Sequence, residues 1–254
     1  MTPTNISGRD RAEIERSAAE AAKIALAPVE VDRYLNPPAN TPYGLEYAFF
    51  LLGDVKGKTV LDLGCGTGEN LIPLVKRGAR VIAMDISPEL VALAWRRLES
   101  YRMSDAGAIV RVGSAYETGL SDESVDIVFS MALLHHLDLT RARQEIYRVL
   151  RAGGLFILRE PIRFSRTMNF LRKLFPAPKA DISEYEHPMT RAELAVVTNG
   201  FTVLAGRTFR LPFVPLMVRA GLFRKRVWSV DRWLLQHFPE LEHFATGRVM
   251  SLRK

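Results

Sequence analysis

Three glycines follow an apolar run at a spacing that suits a ligand-binding loop. Residues 60–63 read Val-Leu-Asp-Leu, and Gly64, Gly66 and Gly68 come directly after them. Glycines between the end of a strand and the start of a helix let the backbone approach a bound ligand, because no Cβ is in the way. The next apolar run ends in Asp85, where a carboxylate can accept two hydrogen bonds from a ribose diol. Together these residues predict a site for a ligand that contains ribose.

The spacing of these glycines differs from that of a dinucleotide-binding loop. Such a loop reads G-x-G-x-x-G, whereas this chain reads G-x-G-x-G and continues with Glu69. An acid immediately before a helix is a poor neighbour for a pyrophosphate, which favours the positive end of the helix dipole. The sequence therefore disfavours a dinucleotide as the ligand.

Two adjacent histidines are the candidate catalytic groups. His135 and His136 follow the apolar run 125–130. An imidazole has a pKa suited to proton transfer near neutral pH, so either ring could act as a base or contact a substrate. Either ring could equally orient the helix that follows, and the sequence leaves both interpretations open.

Apolar runs alternate with helix-like segments through the middle of the chain. We predict strands over 59–63, 79–84, 108–112, 125–130 and 155–158, and helices over 10–26, 88–101 and 140–150. A further helix follows the glycines and reaches about Arg77. This alternation predicts a parallel sheet with helices on both faces, and strands that are apolar throughout are typical of such sheets.

The last third of the chain is less regular. A capping-box pattern at Thr190 and Glu193 predicts a helix over 190–199 that ends before Gly200. We also predict a loop over 176–188, strands over 201–204 and 248–252, and an insertion over 212–242 with helix-like parts. The predicted fold is α/β: a doubly wound, mostly parallel seven-stranded sheet with an N-terminal helix and a helical insertion between the last two strands.

The composition is that of an ordinary globular domain. The chain has 254 residues, 48% of them hydrophobic and 25% charged. Cys65 is the one cysteine, so an internal disulfide and a cysteine-based zinc site are excluded. No signal peptide and no apolar run of spanning length are found, and we expect a cytoplasmic protein, with contact to a membrane surface as an open alternative.

Positive charge is concentrated near the C-terminus. Residues 163–254 carry 16 Lys and Arg against 7 Asp and Glu, whereas residues 1–162 carry 19 against 21. Residues 207–232 contain seven basic residues and one acid, interleaved with large apolar side chains. Such a segment suits an acceptor pocket with an anionic end, a membrane surface or a contact between subunits, whereas a nucleic-acid track would be less apolar.

The motifs between about Thr59 and Pro161 resemble those of class I S-adenosylmethionine-dependent methyltransferases. The likeness is to the group of small-molecule enzymes that includes the quinone-biosynthesis methyltransferases. It covers the glycine loop, Asp85, Gly113 to Ala115, the run 126–130 and the segment 148–154. The resemblance implies S-adenosylmethionine as the cofactor and a division into an N-terminal lid segment (1–57), a cofactor-binding core (58–161) and a C-terminal part of the same domain (162–254).

The resemblance also implies a role for each matching residue. It implies that the methionine and ribose parts of the cofactor contact the following residues: Asp62, Gly64, Cys65, Gly66, Gly68 and Asp85. It implies that the adenine contacts Ile86, Ser114, Ala115 and Tyr116. Ser130 and Met131 would lie beneath the sulfonium. Tyr43, with Glu46, would cover the cofactor as part of the lid, although packing in the core is an alternative.

The predicted function is methyl transfer to a small, lipophilic or amphiphilic acceptor by direct in-line displacement. The methyl group of a sulfonium is already activated, so alignment and exclusion of water are the main requirements. No metal is predicted, because residues 129–137 lack the acids that metal-dependent relatives carry there. The alternatives are an RNA methyltransferase that uses the basic C-terminal face and a cofactor-binding protein that does not methylate.

Overall fold

A seven-stranded sheet forms the centre of the protein. The computed structural model describes residues 8–104, 107–164, 187–219, 221 and 224–254. The strands are β1 (Thr59–Leu63), β2 (Arg80–Asp85), β3 (Ala108–Val112), β4 (Val125–Met131), β5 (Leu150–Pro161), β6 (Thr202–Phe209) and β7 (Gly247–Arg253). Their order is β3-β2-β1-β4-β5-β7-β6. β1 to β5 pair in parallel, and β7 is antiparallel to both of its neighbours.

Helices cover both faces of this sheet. They are α1 (Gly8–Ala21), α2 (Asp32–Leu35), α3 (Gly44–Leu51), α4 (Leu71–Lys76), α5 (Pro88–Ser100), α6 (Leu139–Val149), α7 (Arg191–Thr198), α8 (Phe213–Arg219) and α9 (Arg224–His237). Short 3₁₀ helices span Leu134–His136 and Pro239–Phe244. Phe49 and Phe129 belong to the apolar cluster on one face, and Phe156 and Leu158 to that on the other. The predicted fold class, including the helical insertion between β6 and β7, is confirmed.

The strand order creates a switch point beside β1. The chain runs from β1 outward through β2 and β3, and then returns to β4 on the other side of β1. Connections that leave β1 and β4 in opposite directions open a crevice at the carboxyl ends of these strands, where ligands of open α/β sheets bind. The glycine loop after β1 and the residues after β4 therefore face each other across this crevice.

The first helix is shorter than predicted. It ends at Ala21 rather than near residue 26, because the segment before Pro28 is held in an extended form. Arg97 donates a hydrogen bond of 2.7 Å to the carbonyl of Ala27, and the Tyr101 hydroxyl accepts one of 2.7 Å from the Val29 backbone. These contacts tie the segment to α5 instead of letting the helix continue.

The fifth strand is longer than predicted. It begins at Leu150, directly after α6, so Gly153 and Gly154 lie inside the strand instead of ending a helix. The register between β4 and β5 shifts opposite Val125 to Ile127, which accommodates the extra residues.

The C-terminal third has the predicted order of elements, but β6 continues to Phe209, beyond the predicted end at 204, because it pairs with β7 along this length. The capping box of α7 is present, with Thr190 and Glu193 exchanging hydrogen bonds between side chain and backbone. The insertion contains α8 and α9, and the Asp231 carboxylate of α9 accepts hydrogen bonds from the backbones of Arg210 and Leu211. Most of the loop predicted over 176–188 lies outside the described residues.

Candidate functional site

The glycine loop folds back onto the end of β2. Gly64, Gly66 and Gly68 all have positive φ angles, of 75°, 51° and 76°, which only glycine adopts without strain. The backbone of Gly66 donates a hydrogen bond of 2.9 Å to Asp85, and the backbone of Ser87 donates one of 3.1 Å to the other carboxylate oxygen. Asp85 is thereby fixed directly beside the loop, as the sequence predicts.

A buried arginine supports the loop from behind. Arg97 of α5 is 2% exposed and donates a hydrogen bond of 2.7 Å to the carbonyl of Thr67. A Cβ on Gly68 would lie 3.0 Å from the backbone of Ala94 on the same helix, so this glycine allows α5 to pack against the loop. The sequence gives no signal for Arg97, because a single arginine in a charged helix looks like part of a solvated face.

A cleft of about 260 Å³ opens between the glycine loop and the end of β4. This volume lies near the lower end of the range for small-molecule sites, roughly 300–1,000 Å³. Of the predicted site residues, those that line it are Gly64, Gly66, Asp85, Ile86, Ser114, Ala115, Tyr116, Met131 and His136. Those that do not line it are Asp62, Cys65, Gly68, Ser130, His135 and Tyr43. The structure therefore brings together most of the predicted set.

Helix α1 forms a wall of this cleft, with side chains that the sequence analysis does not single out. Glu13, Arg16, Ser17 and Glu20 face the glycine loop and the residues after β4. Burial raises the pKa of Glu13, but hydrogen bonds from His136 and Arg16 outweigh this and lower it to about 2. The closest approach of Glu13 to His136 is 3.5 Å, which joins the N-terminal helix to the histidine pair.

The charge around the cleft is mostly negative. Glu13, Glu20 and Asp85 face it, against the single guanidinium of Arg16 among the described lining residues. Such a site attracts a cationic ligand and repels a pyrophosphate, in agreement with the spacing of the glycines. The charge thus suits a sulfonium or an ammonium group.

Asp62 lies behind the glycine loop as a buried acid. It is fully buried, and among the described residues neither carboxylate oxygen has a hydrogen-bond partner. Burial raises the pKa of Asp62 to about 7, and the charge of Asp85 adds to the effect. A carboxyl group in this state becomes a stable anion when a cation binds next to it.

We predict that Asp62 makes the ligand-free protein less stable as the pH rises. The folded state raises its pKa from 3.8 to about 7, so between these values the folded protein holds a proton that the unfolded chain has released. Stability should fall by up to about 1.4 kcal/mol per pH unit in this window. Urea unfolding of the wild type and of Asp62→Asn at pH 5, 6, 7 and 8 measures the slope. Equal slopes for the two proteins would contradict the prediction.

His135 is held by a buried glutamate. Its Nδ1 lies 2.7 Å from Glu160, a side chain of β5 that is 1% exposed. The other oxygen of Glu160 accepts hydrogen bonds from the backbones of Leu133 and Leu134. Glu160 thus fixes the short helix that carries both histidines, whose ring centroids are 4.0 Å apart. His136 faces the cleft and His135 does not.

The far end of the cleft is closed by Tyr116. Its hydroxyl accepts a hydrogen bond of 2.8 Å from the Asp138 backbone, and the guanidinium of Arg141 lies 4.4 Å from its ring. Ser114 Oγ accepts a hydrogen bond from the backbone of Tyr116. With Ile86 opposite, this end offers an apolar slot with polar backbone at its rim.

Tyr43 contacts the C-terminal insertion instead of the cleft. Its ring lies 5.4 Å from that of Trp228 in α9, and the guanidinium of Arg33 lies 4.8 Å from its centre. Tyr47 of α3, the helix that begins directly after Tyr43, packs against Phe209 of β6, with ring centroids 5.7 Å apart. We call these four rings, Tyr43, Tyr47, Phe209 and Trp228, the aromatic cluster. It joins α3 to the insertion.

Metal sites and spanning helices are both absent from the part of the chain that the structure describes. Within it, no three His, Cys, Asp or Glu side chains converge as a metal site requires. In the same residues, no helix combines the length and apolarity needed to cross a bilayer.

The strand order and the cleft at its switch point are those of the class I methyltransferase fold. The family described as "Methyltransferase domain" matches residues 61–158. The matched range runs from β1 to β5 and includes the glycine loop, Asp85 and both histidines.

Curated relatives match over parts of their length. An uncharacterised 37.1 kDa protein of transposon TN4556 from Streptomyces fradiae is 33% identical over 170 residues, 62% of this chain and 48% of that protein. Demethylmenaquinone methyltransferase from Thermobifida fusca is 35% identical over 105 residues, 41% of this chain and 44% of that enzyme. The chain thus spans less than half the length of these relatives.

A solved structure matches almost the whole chain. It is geranyl diphosphate C-methyltransferase from Streptomyces coelicolor A3(2), in complex with Mg²⁺, geranyl diphosphate and S-adenosyl-L-homocysteine. The TM-score is 0.65 at 17% identity, covering 97% of this chain and 98% of that one. At this identity the likeness establishes the fold alone.

Proposed function

We propose that this protein transfers a methyl group from S-adenosylmethionine to a small amphiphilic acceptor. The observation that carries the proposal is Asp85, fixed at the end of β2 by Gly66 and facing an acid-lined cleft at the switch point of the sheet. A carboxylate in this position can accept both hydroxyls of a ribose, and its neighbours favour a cation.

Residues of the cleft, together with Asp62 behind the glycine loop, supply a partner for each part of this cofactor in our proposal. Asp85 would accept the ribose hydroxyls, and Ile86 and Tyr116 would enclose the adenine. The orphaned carboxylate of Asp62 would pair with the amino group of the methionine part, which removes the cost of an unpaired buried acid. When bound, the cofactor supplies a methyl group that its positive sulfur has already activated. The chain's task is then to align the acceptor and to exclude water.

His136 is our candidate for contact with the acceptor. It faces the cleft beside Met131, whereas His135 is held away from it by Glu160. If the acceptor atom carries a proton, as a hydroxyl does, His136 would take it while Glu13 stabilises the charge that forms on the ring. His135 would then act as a positioning residue for the short helix.

Support for an amphiphilic acceptor comes from the aromatic cluster and the charges beside it. Arg207 lies 3.8 Å from the centre of the Tyr47 ring and 4.4 Å from that of Phe209, so apolar and cationic groups alternate there. Among the relatives, one is named for a quinone precursor and a structural neighbour was solved with a prenyl diphosphate. Acceptors of this kind combine an apolar body with a polar or charged end.

An exposed face of α9 would meet the membrane that holds such an acceptor. Val230 and Trp233 are 49% and 52% exposed, and Phe238, just after the helix, is 42% exposed. The carboxylate of Asp231, the acid of residues 207–232, accepts hydrogen bonds from the backbones of Arg210 and Leu211 and is 1% exposed, so it adds little negative charge to the surface. Tryptophan and cationic side chains on one helix suit the interface of an anionic bilayer.

The test is release of S-adenosylhomocysteine with short-chain quinols and long-chain hydroxy acids presented in vesicles. We expect turnover above the acceptor-free blank with at least one acceptor, and faster turnover with phosphatidylglycerol than with phosphatidylcholine. Trp233→Ala should slow turnover with vesicles of either lipid, because the tryptophan supplies apolar contact, whereas Trp95→Ala, a control that is 39% exposed on α5, should leave turnover unchanged.

The alternatives give different results in the same assay. An RNA methyltransferase would turn over with RNA and lose affinity steeply as salt rises. A protein that binds the cofactor without methylating would bind S-adenosylhomocysteine yet release none with any acceptor. Either result would contradict the proposed acceptor class.

A further inference from the structure

Arg159 lies at the carboxyl end of β5, next to the cleft. It pairs with Met131 of β4, and its backbone carbonyl accepts a hydrogen bond of 2.7 Å from Ala132. Its side chain runs between α3 and β6, where Nε lies 3.4 Å from the position that a Cβ on Gly44 would take and Phe209 lines the same space. The side chain thus lies beside Phe209 of the aromatic cluster, and its backbone pairs with Met131, which lines the cleft.

This guanidinium is half-buried and unpaired. Across the residues that the structure describes, it makes no hydrogen bond, ion pair or ring contact. Two other arginines of the described residues do have protein partners: Arg97 donates hydrogen bonds to Thr67 and Ala27, and Arg207 donates hydrogen bonds to Ala39 and Thr41. A partly buried charge without a protein partner carries a desolvation cost, which a bound anion would offset.

The charges that face Arg159 do not supply that partner. Glu160 follows it on the strand, but both oxygens of Glu160 are engaged with the short helix and His135. Burial, and then the like charge of Arg210, lower the pKa of Arg159 below its usual value. Tyr34 is the remaining group that acts on it.

Arg210 is held in place at some cost to its backbone. Its φ angle is 66°, in the left-handed region that residues other than glycine rarely adopt. The Asp231 carboxylate accepts its backbone N–H at 3.0 Å, and Thr246 Oγ1 accepts its Nε at 2.8 Å. The fold thus fixes a second cation close to the first.

We propose that Arg159, with Arg210 beside it, binds an oxyanion of the acceptor, either a carboxylate or a phosphate. The inference rests on the proposed methyl transfer, and it specifies that the polar end of the acceptor is an anion. An oxyanion would resolve both the unpaired charge and the repulsion between the two guanidinium groups, and the planar fork of arginine suits it. The aromatic cluster would take the apolar part of the same molecule.

The test compares Arg159→Met with the wild type in thermal unfolding, with S-adenosylhomocysteine present at saturation. Without added anion we expect the variant to melt about 2 to 4 °C higher, because an apolar side chain replaces an unpaired charge. Decanoate and pyrophosphate, at ionic strength matched with chloride, should raise the melting temperature of the wild type but not of the variant. Arg96→Met, which removes an exposed arginine on α5, should leave both quantities unchanged.

The outcomes of this experiment distinguish an acceptor site from the other roles that Arg159 could have. A larger response to decanoate than to acetate would show that the anion site continues into an apolar pocket, as an amphiphilic acceptor requires, whereas equal responses would contradict an acceptor site. Lower stability of Arg159→Met without anion would show that Arg159 has a structural role, and would overturn the proposal. A tenfold or larger loss of S-adenosylhomocysteine affinity in Arg159→Met would assign the arginine to the cofactor instead. If the wild type itself did not bind S-adenosylhomocysteine, that result would contradict the proposed function as well as this inference.

Discussion

Gly66→Val is expected to weaken S-adenosylhomocysteine binding more than about a hundredfold, equivalent to about 3 kcal/mol. Gly66 lines the cleft, and a Cβ placed on it meets no protein atom within 4 Å. The side chain would therefore enter space that the protein leaves open for its ligand. Its backbone also donates to Asp85, so a shift of the loop would move the carboxylate as well. Titration calorimetry with S-adenosylhomocysteine measures the effect.

The matched control is Gly57→Val. Gly57 has a φ angle of 72°, and a Cβ placed on it would also meet no atom within 4 Å, but it lies before β1 and away from the cleft. Both substitutions thus bring a β-branched residue into left-handed backbone, at a cost of about 1–3 kcal/mol in stability. Only Gly66→Val should lose the ligand. An equal loss in both variants would assign the effect to general strain from a β-branched residue in left-handed backbone, and would contradict our interpretation.

Asp85→Asn is expected to lower S-adenosylhomocysteine affinity about a hundredfold, because a neutral amide replaces two charge-assisted acceptors. The variant should fold, since burial raises the pKa of Asp85 and a neutral group is cheaper there than a charge. One amide oxygen can still accept from Gly66 or Ser87, but the NH₂ group then faces the ligand as a donor.

The control for this variant is Asp122→Asn. The Asp122 side chain is 76% exposed and pairs with Arg148 on the surface, so its charge is removed without touching the cleft. Calorimetry of both variants distinguishes the general effect of removing one negative charge from the specific effect of removing the Asp85 carboxylate. Thermal unfolding confirms that each variant is folded. Wild-type affinity in Asp85→Asn would contradict the role of this carboxylate.

The strands could be predicted where the signal is local. β1 and β3 begin and end at the predicted residues, because each is a short run rich in apolar and β-branched residues with a glycine directly after it. The place of β7 between β5 and β6 could not be predicted, since it depends on pairing between strands that are far apart in sequence. The bounds of α1 and β5 differ for the same reason: Arg97 and the register of β4 decide them.

The site residues, like the strands, could be predicted where the signal is local and not where it depends on long-range contacts. The glycine loop and Asp85 lie on consecutive elements, so their types and spacing reveal them. Glu13 reaches His136 across more than a hundred residues, and in the sequence it looks like one charge among many on a helix. Glu160 does leave a signal in the sequence, since it is an acid at the end of an apolar run like Asp85, but its role becomes evident only from its contact with His135.

A crystal structure of the complex with S-adenosylhomocysteine tests the central claim most directly. We predict density for the ligand along the glycine loop, with both ribose hydroxyls within hydrogen-bond distance of Asp85 and the amino group next to Asp62. An empty cleft at saturating ligand, or a sugar that lies away from Asp85, would contradict the account.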